Sequence, residues 1–159
     1  MALIFGNTPT WITGDPINNF KWNEGYVVGI CSLGTAVGPG GSRIICKSSG
    51  VAIIVAPRSA EVSRTWYCRN DAVTTAGSIT GLTTSVFSST GWFVPTLGQL
   101  QNPGYLCRSF WDSYSSTCFW SSTEYNANSA YSVCFSNGNA GSYSEGITFC
   151  VRAFRCVTY

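Results

Sequence analysis

Apolar positions are sparse and aperiodic over Met1–Glu24, where Phe5, Trp11, Ile12, Phe20 and Trp22 interrupt a stretch carrying Pro9, Gly14, Pro16 and several Asn. That pattern predicts an irregular N-terminal arm over residues 1–24 and a folded domain over 25–159. The aromatics of the arm have two possible uses, folding back on the domain or docking on a neighbouring subunit. Tyr26–Ile30 reads as a short strand, followed by a loop containing Gly34, Gly38, Gly40 and Gly41. Two β-branched runs, Arg43–Cys46 and Val51–Ala56, flank Lys47-Ser48-Ser49-Gly50. This predicts a hairpin with Gly50 at the position most in need of a positive φ, its second strand ended by Pro57.

The period then changes. From Ser59 to about Ala76, Val62, Trp66, Ala72, Val73 and Ala76 recur at near-helical spacing, which predicts a first helix capped by Ser59 or Ser63. Thr80–Thr90 is a Ser/Thr/Gly loop leading to Gly91-Trp92-Phe93-Val94-Pro95-Thr96. Thr96 is the predicted N-cap of a second helix with Leu97 and Leu100 on its apolar face, interrupted at Pro103-Gly104 and resuming over Leu106–Trp111. Past Cys118, short β-like runs alternate with turns: Cys118–Ser121, Ala130–Phe135, a turn at Asn137-Gly138-Asn139, then Thr148–Val157. In the last run Phe149, Val151, Ala153 and Arg155 fall on one side and Cys150, Arg152, Phe154 and Cys156 on the other, so both faces are expected to be partly buried. The implied class is α+β, two helices packed on small antiparallel sheets.

Composition narrows the function classes. Charged residues are only 10% of 159 residues, and the net charge of +2 comes from scattered Arg and two lysines, Lys21 and Lys47. No basic run exists to follow a phosphate backbone, so nucleic acid is not an expected partner. The longest apolar stretch, Val51–Ala56, is far short of the roughly 20 residues that span a bilayer, and Met1–Phe5 lacks the charged start of a secretory signal. No membrane insertion is expected.

Eight cysteines are present (Cys31, Cys46, Cys68, Cys107, Cys118, Cys134, Cys150, Cys156), none spaced as C-x-x-C, and there is no histidine. The usual structural zinc sets are therefore unsupported, and neither metal nor cofactor is expected. Buried free thiols are the simplest reading; if a disulfide forms, Cys134 with Cys150 is the first candidate, both lying in expected neighbouring strands. The absence of histidine removes Ser-His-Asp and Cys-His catalysis. The seven carboxylates form no recognisable acid/base pair by spacing, Glu124 with Glu145 included. A non-catalytic role is the expectation.

Several segments resemble, in order, the C-type-lectin-like fold, in the branch found at the C-terminus of a bacterial collagen-like adhesin and in phage tail and tropism proteins. Gly50-Val51-Ala52-Ile53-Ile54-Val55-Ala56-Pro57 is similar to its G-L-I-V-A-P strand, and Thr65-Trp66 with the downstream alanines to its first helix. Gly91–Thr96 with Gln99-Leu100 is similar to W-R-L-P-T-x-x-E-L, and Phe119-Trp120-Ser121-Ser122-Thr123-Glu124 to Y-W-S-S-T-E. Val151-Arg152-Ala153-Phe154-Arg155-Cys156-Val157 resembles the closing V-R-x-V-R strand. The resemblance implies that Trp92, Pro95 and Trp120 are core and corner residues and that Arg152 is buried and ties strand ends together. It gives no calcium site, since the Glu-Pro-Asn and Trp-Asn-Asp motifs of sugar-binding members are missing in place. Nor does it supply the active-site pattern of the copper-binding formylglycine-generating relatives.

Ser113–Gly146 holds ten Ser, four Asn and four Tyr in 34 residues, a composition like that of antibody loops, where Tyr gives rigid contact area and Ser/Asn adaptable hydrogen bonds. In phage tropism proteins the variable positions lie in the same part of the fold, so the resemblance implies a ligand face at Tyr125, Asn126, Asn128, Tyr131, Asn137, Asn139 and Tyr143. The same residues also simply make turns between strands, and both readings stand at this point. The expected function is a phage virion surface protein, associated with tail or capsid, that binds a host-surface glycan or protein. It would be made in the host cytoplasm and be homo-oligomeric among other virion proteins. The alternative is a capsid decoration protein that docks through its N-terminal arm.

Overall fold

A computed structural model describes residues 28–37, 39–79 and 91–159. The arm expected over residues 1–24 and the loop Thr80–Thr90 lie outside the described residues. Among the described residues nine strands build two sheets, one ordered β1-β2-β9-β4 and one ordered β3-β8-β5-β6-β7. The strands are β1 (Arg43–Ser48), β2 (Val51–Val55), β3 (Val62–Arg64), β4 (Trp92–Phe93), β5 (Cys118–Asn126), β6 (Ser129–Cys134), β7 (Ala140–Ser144), β8 (Phe149–Val151) and β9 (Phe154–Thr158). The first sheet is antiparallel throughout; the second is mixed, because β5 and β8 run parallel. With helix α1 (Asp71–Ser78) and the short helix α2 (Leu97–Gln99), the class is α+β as expected.

The early hairpin forms with a tighter turn than expected: Ser48 pairs with Val51, and Ser49 and Gly50 both take positive φ, 51° and 80°. Two positive φ values give the twist that antiparallel strands need, and Gly50 has no Cβ to strain. Residues 28–30 are helical, where a strand was expected.

The helix expected from Ser59 reduces to α1. Val62 and Trp66 follow helical spacing in sequence, but Val62–Arg64 pairs with β8 and Trp66 begins a 3₁₀ turn, Trp66–Cys68. Neither Ser59 nor Ser63 is a cap; the N-cap of α1 is Asn70, which makes no side-chain cap bond. Tertiary bonds decide this segment, since the Trp66 backbone N–H donates to Glu145 O at 3.0 Å and its indole N–H to Ser121 O at 2.9 Å.

The second helix begins where Thr96 predicts. Its hydroxyl accepts from Gln99 N at 3.2 Å and the Gln99 side chain accepts from Thr96 N at 3.0 Å, a reciprocal capping box. The helix widens into a π-type segment, Leu100–Tyr105, in which Asn102 is extended before a cis bond to Pro103. The predicted resumption amounts to one 3₁₀ turn, Arg108–Phe110. The Ser-Ser-Thr run of β5 holds this helix in place: Ser122 N–H donates to Pro95 O at 2.8 Å and Leu97 N–H to Thr123 Oγ1 at 3.0 Å.

The run Thr148–Val157 is two strands, not one. β8 ends at Val151, Arg152 and Ala153 cross between sheets, and β9 inserts between β2 and β4. The expected burial of both faces holds. Val151 and Ala153, with Phe149 alongside, join a core of Trp66, Ala72, Ala76, Val94 and Trp120, while Cys150 and Phe154 join an aromatic core of Trp111, Phe119 and Phe135. A third cluster, Val28, Val37, Ile44, Ala52, Ile54 and Val157, covers the other face of the first sheet. Trp120 is fully buried, and its indole N–H reaches both Arg64 O and Ile147 O, at 3.1 and 3.2 Å.

At the crossing the buried Arg152 donates Nε–H to Ala56 O at 2.8 Å and Nη1–H to Glu61 at 3.1 Å, and also reaches Ser113 O and Asp112 Oδ1. Its guanidinium lies over the Trp111 ring at 5.0 Å. Burial lowers the guanidinium's pKa, while Asp112 and Glu61 oppose that shift. A charge this deeply buried is stable only with its donors filled and counter-charges in contact.

The disulfide is Cys118–Cys134, which corrects the pairing Cys134–Cys150. Cys118 stands directly opposite Cys134 in the β5–β6 ladder, whereas Cys150 lies on β8 beside Phe119. Six thiols remain free. Only Cys150 is buried, and Cys68 and Cys156 are exposed, so the reading of buried free thiols holds for Cys150 alone. Among the described residues, no helix is long and apolar enough to cross a membrane.

Candidate functional site

The Ser/Asn/Tyr-rich segment folds as β5, β6 and β7 with their two connecting turns. Register determines which of its side chains meet. Cross-strand partners share a face, so Tyr131 lies with Ser142 on one side of the sheet and Tyr143 lies with Ala130 on the other. Ala130 belongs to the core around Trp120, and Tyr143 packs edge-on against Phe149 at 5.2 Å, which in turn packs on Trp120 at 4.8 Å. Val133, two residues from Tyr131 and so on its face, belongs to the aromatic core instead.

Tyr125 and Tyr131 do come together, ring centroids 5.4 Å apart and 81° between planes. Tyr125 is 57% exposed. Beside them the β5–β6 turn is closed by Asn126, whose Oδ1 accepts from Asn128 N at 2.9 Å. Asn137 does the same at the far end of β6, accepting from Asn139 N at 2.9 Å. β6 runs from Ser129 to Cys134, so at ~3.3 Å per residue the two turns are separated by roughly 20 Å.

The seven residues expected to line one face therefore fall into three places. Tyr125, Tyr131, Asn126 and Asn128 cluster at the β5–β6 tip; Tyr143 lies on the opposite face; Asn137 and Asn139 stand at the opposite end, on either side of Gly138, which lies against the Tyr105 ring. Two of the four asparagines, Asn126 and Asn137, spend a carboxamide oxygen on closing their own turn, as Asx residues commonly do. The exposed aromatic surface of the tip is neutral, with Glu124 as the nearest carboxylate in sequence.

A second feature escapes sequence reading. A groove of about 550 Å³ is lined by Ser63, Ser115, Thr117, Cys118, Thr148, Phe149 and Cys150. The Cys150 thiol lies 3.3 Å from Thr117 Oγ1, which is 3.0 Å from Ser115 Oγ. Its polar lining is hydroxyl and sulfur, able to exchange hydrogen bonds but carrying no carboxylate or cation for proton transfer at neutral pH. The only signal in the sequence is the alternation Ser115, Thr117 beside a β run, which resembles any solvent-facing strand end.

Glu124 and Glu145 occupy different environments. Glu124 is exposed opposite Ala130, whereas Glu145 is buried in the turn after β7, with Oε1 lacking a partner. The Tyr67 hydroxyl has its pKa raised by desolvation, then by a hydrogen bond to Glu145 and by that carboxylate's charge. Among the described residues, no group of three or more His, Cys, Asp or Glu is placed to hold a metal ion.

No protein-family model matches the chain, and no curated protein matches it. What the architecture defines is an α+β domain of two sheets with one disulfide.

Proposed function

We propose that the chain is a non-catalytic phage virion surface protein of C-type-lectin-like fold that binds a host-surface glycan or protein through the β5–β6 tip. The observation that carries this reading is Tyr125, more than half exposed yet held edge-to-face on Tyr131 at 5.4 Å. An aromatic ordered before contact loses little entropy on binding and offers both an apolar face and a hydroxyl. The fold part of the proposal is supported by the places its motifs occupy. Trp120 and Pro95 are buried, Thr96 caps the second helix, and Arg152 joins strand ends. The virion location rests on the resemblance alone.

The test is replacement of Tyr125 and Tyr131 together by Ala, followed by cell adsorption or glycan binding and a thermal melt. Loss of binding with a melting temperature within a few degrees of wild type is expected. Intact binding would refute the tip as the recognition surface.

A further inference from the structure

β7 differs from the other three sheet edges. β1 is covered: Gly34 N–H donates to Ile44 O at 2.8 Å, Ile44 N–H to Thr35 O at 3.3 Å, and Lys47 Nζ to Gly29 O and Cys31 O, both at 3.0 Å. β3 and β4 have three and two residues, and β3 ends in Arg64. β7 is five residues, Ala140-Gly141-Ser142-Tyr143-Ser144, with no charge and no proline, and no strand flanks its outer side among the described residues. Short length, charge, proline or cover are the devices that keep an edge from pairing, and among the described residues β7 has none.

The backbone groups it presents are identifiable. Cys134 N–H donates to Asn139 O at 2.8 Å and Glu145 N–H to Asn128 O at 3.0 Å, one at each end of the β6–β7 ladder. Bonded pairs alternate in an antiparallel ladder, so Gly141 and Tyr143 bond to β6 while Ala140, Ser142 and Ser144 direct N–H and C=O outward, the Ser144 carbonyl already accepting from Ile147 N–H at 3.0 Å.

We propose that β7 is a homodimerisation edge, two copies pairing antiparallel about a two-fold axis through Ser142. The strand complements itself in that register. Ser142 bonds to Ser142 of the second copy in both directions and Ala140 to Ser144, the Ser144 carbonyl taking Ala140 N–H as a second bond beside the one it accepts from Ile147 N–H at 3.0 Å. Gly141 then faces Tyr143 of the second copy in a non-bonded pair, where side chains approach most closely. Tyr143 already lies along its own Gly141, whose Cβ, if present, would be 3.1 Å from the ring. Two glycines leave room for two rings side by side, the arrangement by which an aromatic covers a strand glycine. No like charges meet at the axis. The two-fold makes one surface serve both copies, joining two five-stranded sheets into a continuous one.

Light scattering on the full chain tests this. Wild type should have twice the single-chain mass of 17.1 kDa. Ser142→Lys and Ser142→Glu should each be monomeric, because residue 142 faces itself and like charges oppose directly. An equimolar mixture of the two should regain the dimer mass, with Ser142→Thr remaining dimeric throughout. A monomeric wild type, an odd-numbered assembly, a dimer that persists in Ser142→Lys, or a mixture that stays monomeric overturns the proposal. Tyr125→Ala with Tyr131→Ala should leave the dimer mass unchanged, which keeps this result separate from that of the binding tip.

Discussion

The Arg152 guanidinium meets the Glu61 carboxylate at 3.1 Å, with the arginine side chain fully buried and the glutamate nearly so. The pair joins the crossing between β8 and β9 to the segment that leads out of β2, so one cation holds two sheets in register. Glu61 is fixed from its other oxygen by Arg58 at 2.8 Å, and Asp112 Oδ2 accepts from Arg58 N at 2.7 Å.

Arg152→Ala should therefore cost about 3–5 kcal/mol, since it leaves Glu61 Oε2, Asp112 Oδ1 and the Ala56 and Ser113 carbonyls without their donor. Urea unfolding monitored by tryptophan fluorescence measures the loss; a change below about 1 kcal/mol would contradict the structural role.

The cysteines give a direct count. Alkylation of the unfolded chain without reductant should label six thiols, and eight after reduction. Cys134→Ser should lower stability by about 3 kcal/mol, as expected for a loop of this length, while Cys150→Ser should leave the disulfide intact by mass. In the native chain Cys68, exposed, should react ahead of Cys31 and Cys107, whose thiols burial pushes up.

Glycines separate two costs. Gly138 and Gly41 both have positive φ, 81° and 84°. A Cβ at Gly138 would lie 2.4 Å from Tyr105 Cε1, and one at Gly41 meets nothing within 4 Å. Gly41→Ala should cost about 1 kcal/mol from backbone strain alone, and Gly138→Ala should lower the melting temperature clearly further because the ring must also move.

What was legible in the sequence was local. Thr96 and Gln99 satisfy each other within one turn, and Ser49-Gly50 needs only its own dihedrals, so both positions follow from a few neighbouring residues. Val62 and Trp66 carried a helical period that the fold does not use, because their partners, Val151, Ser121 and Glu145, are remote in sequence. The break in Thr148–Val157 has the same origin: Arg152 is held by Glu61, 91 positions away. The disulfide and the division of the tyrosines depend on strand register, which alternation alone cannot fix. Composition marked Ser113–Gly146 as one surface, and the pleat divided it.

β9 lies between β2 and β4, pairing Val51 with Thr158 and Trp92 with Arg155. During synthesis the first sheet exists only as a β1–β2 hairpin, its inner edge unpaired while about a hundred further residues emerge. Closure of that sheet and delivery of Arg152 to its carboxylates fall within the same short segment, so a chain truncated before Arg152 loses the centre of one sheet and its link to the other. The first sheet can be completed only after β9 has emerged, which makes the nascent hairpin the stage at which this protein is most exposed to mispairing.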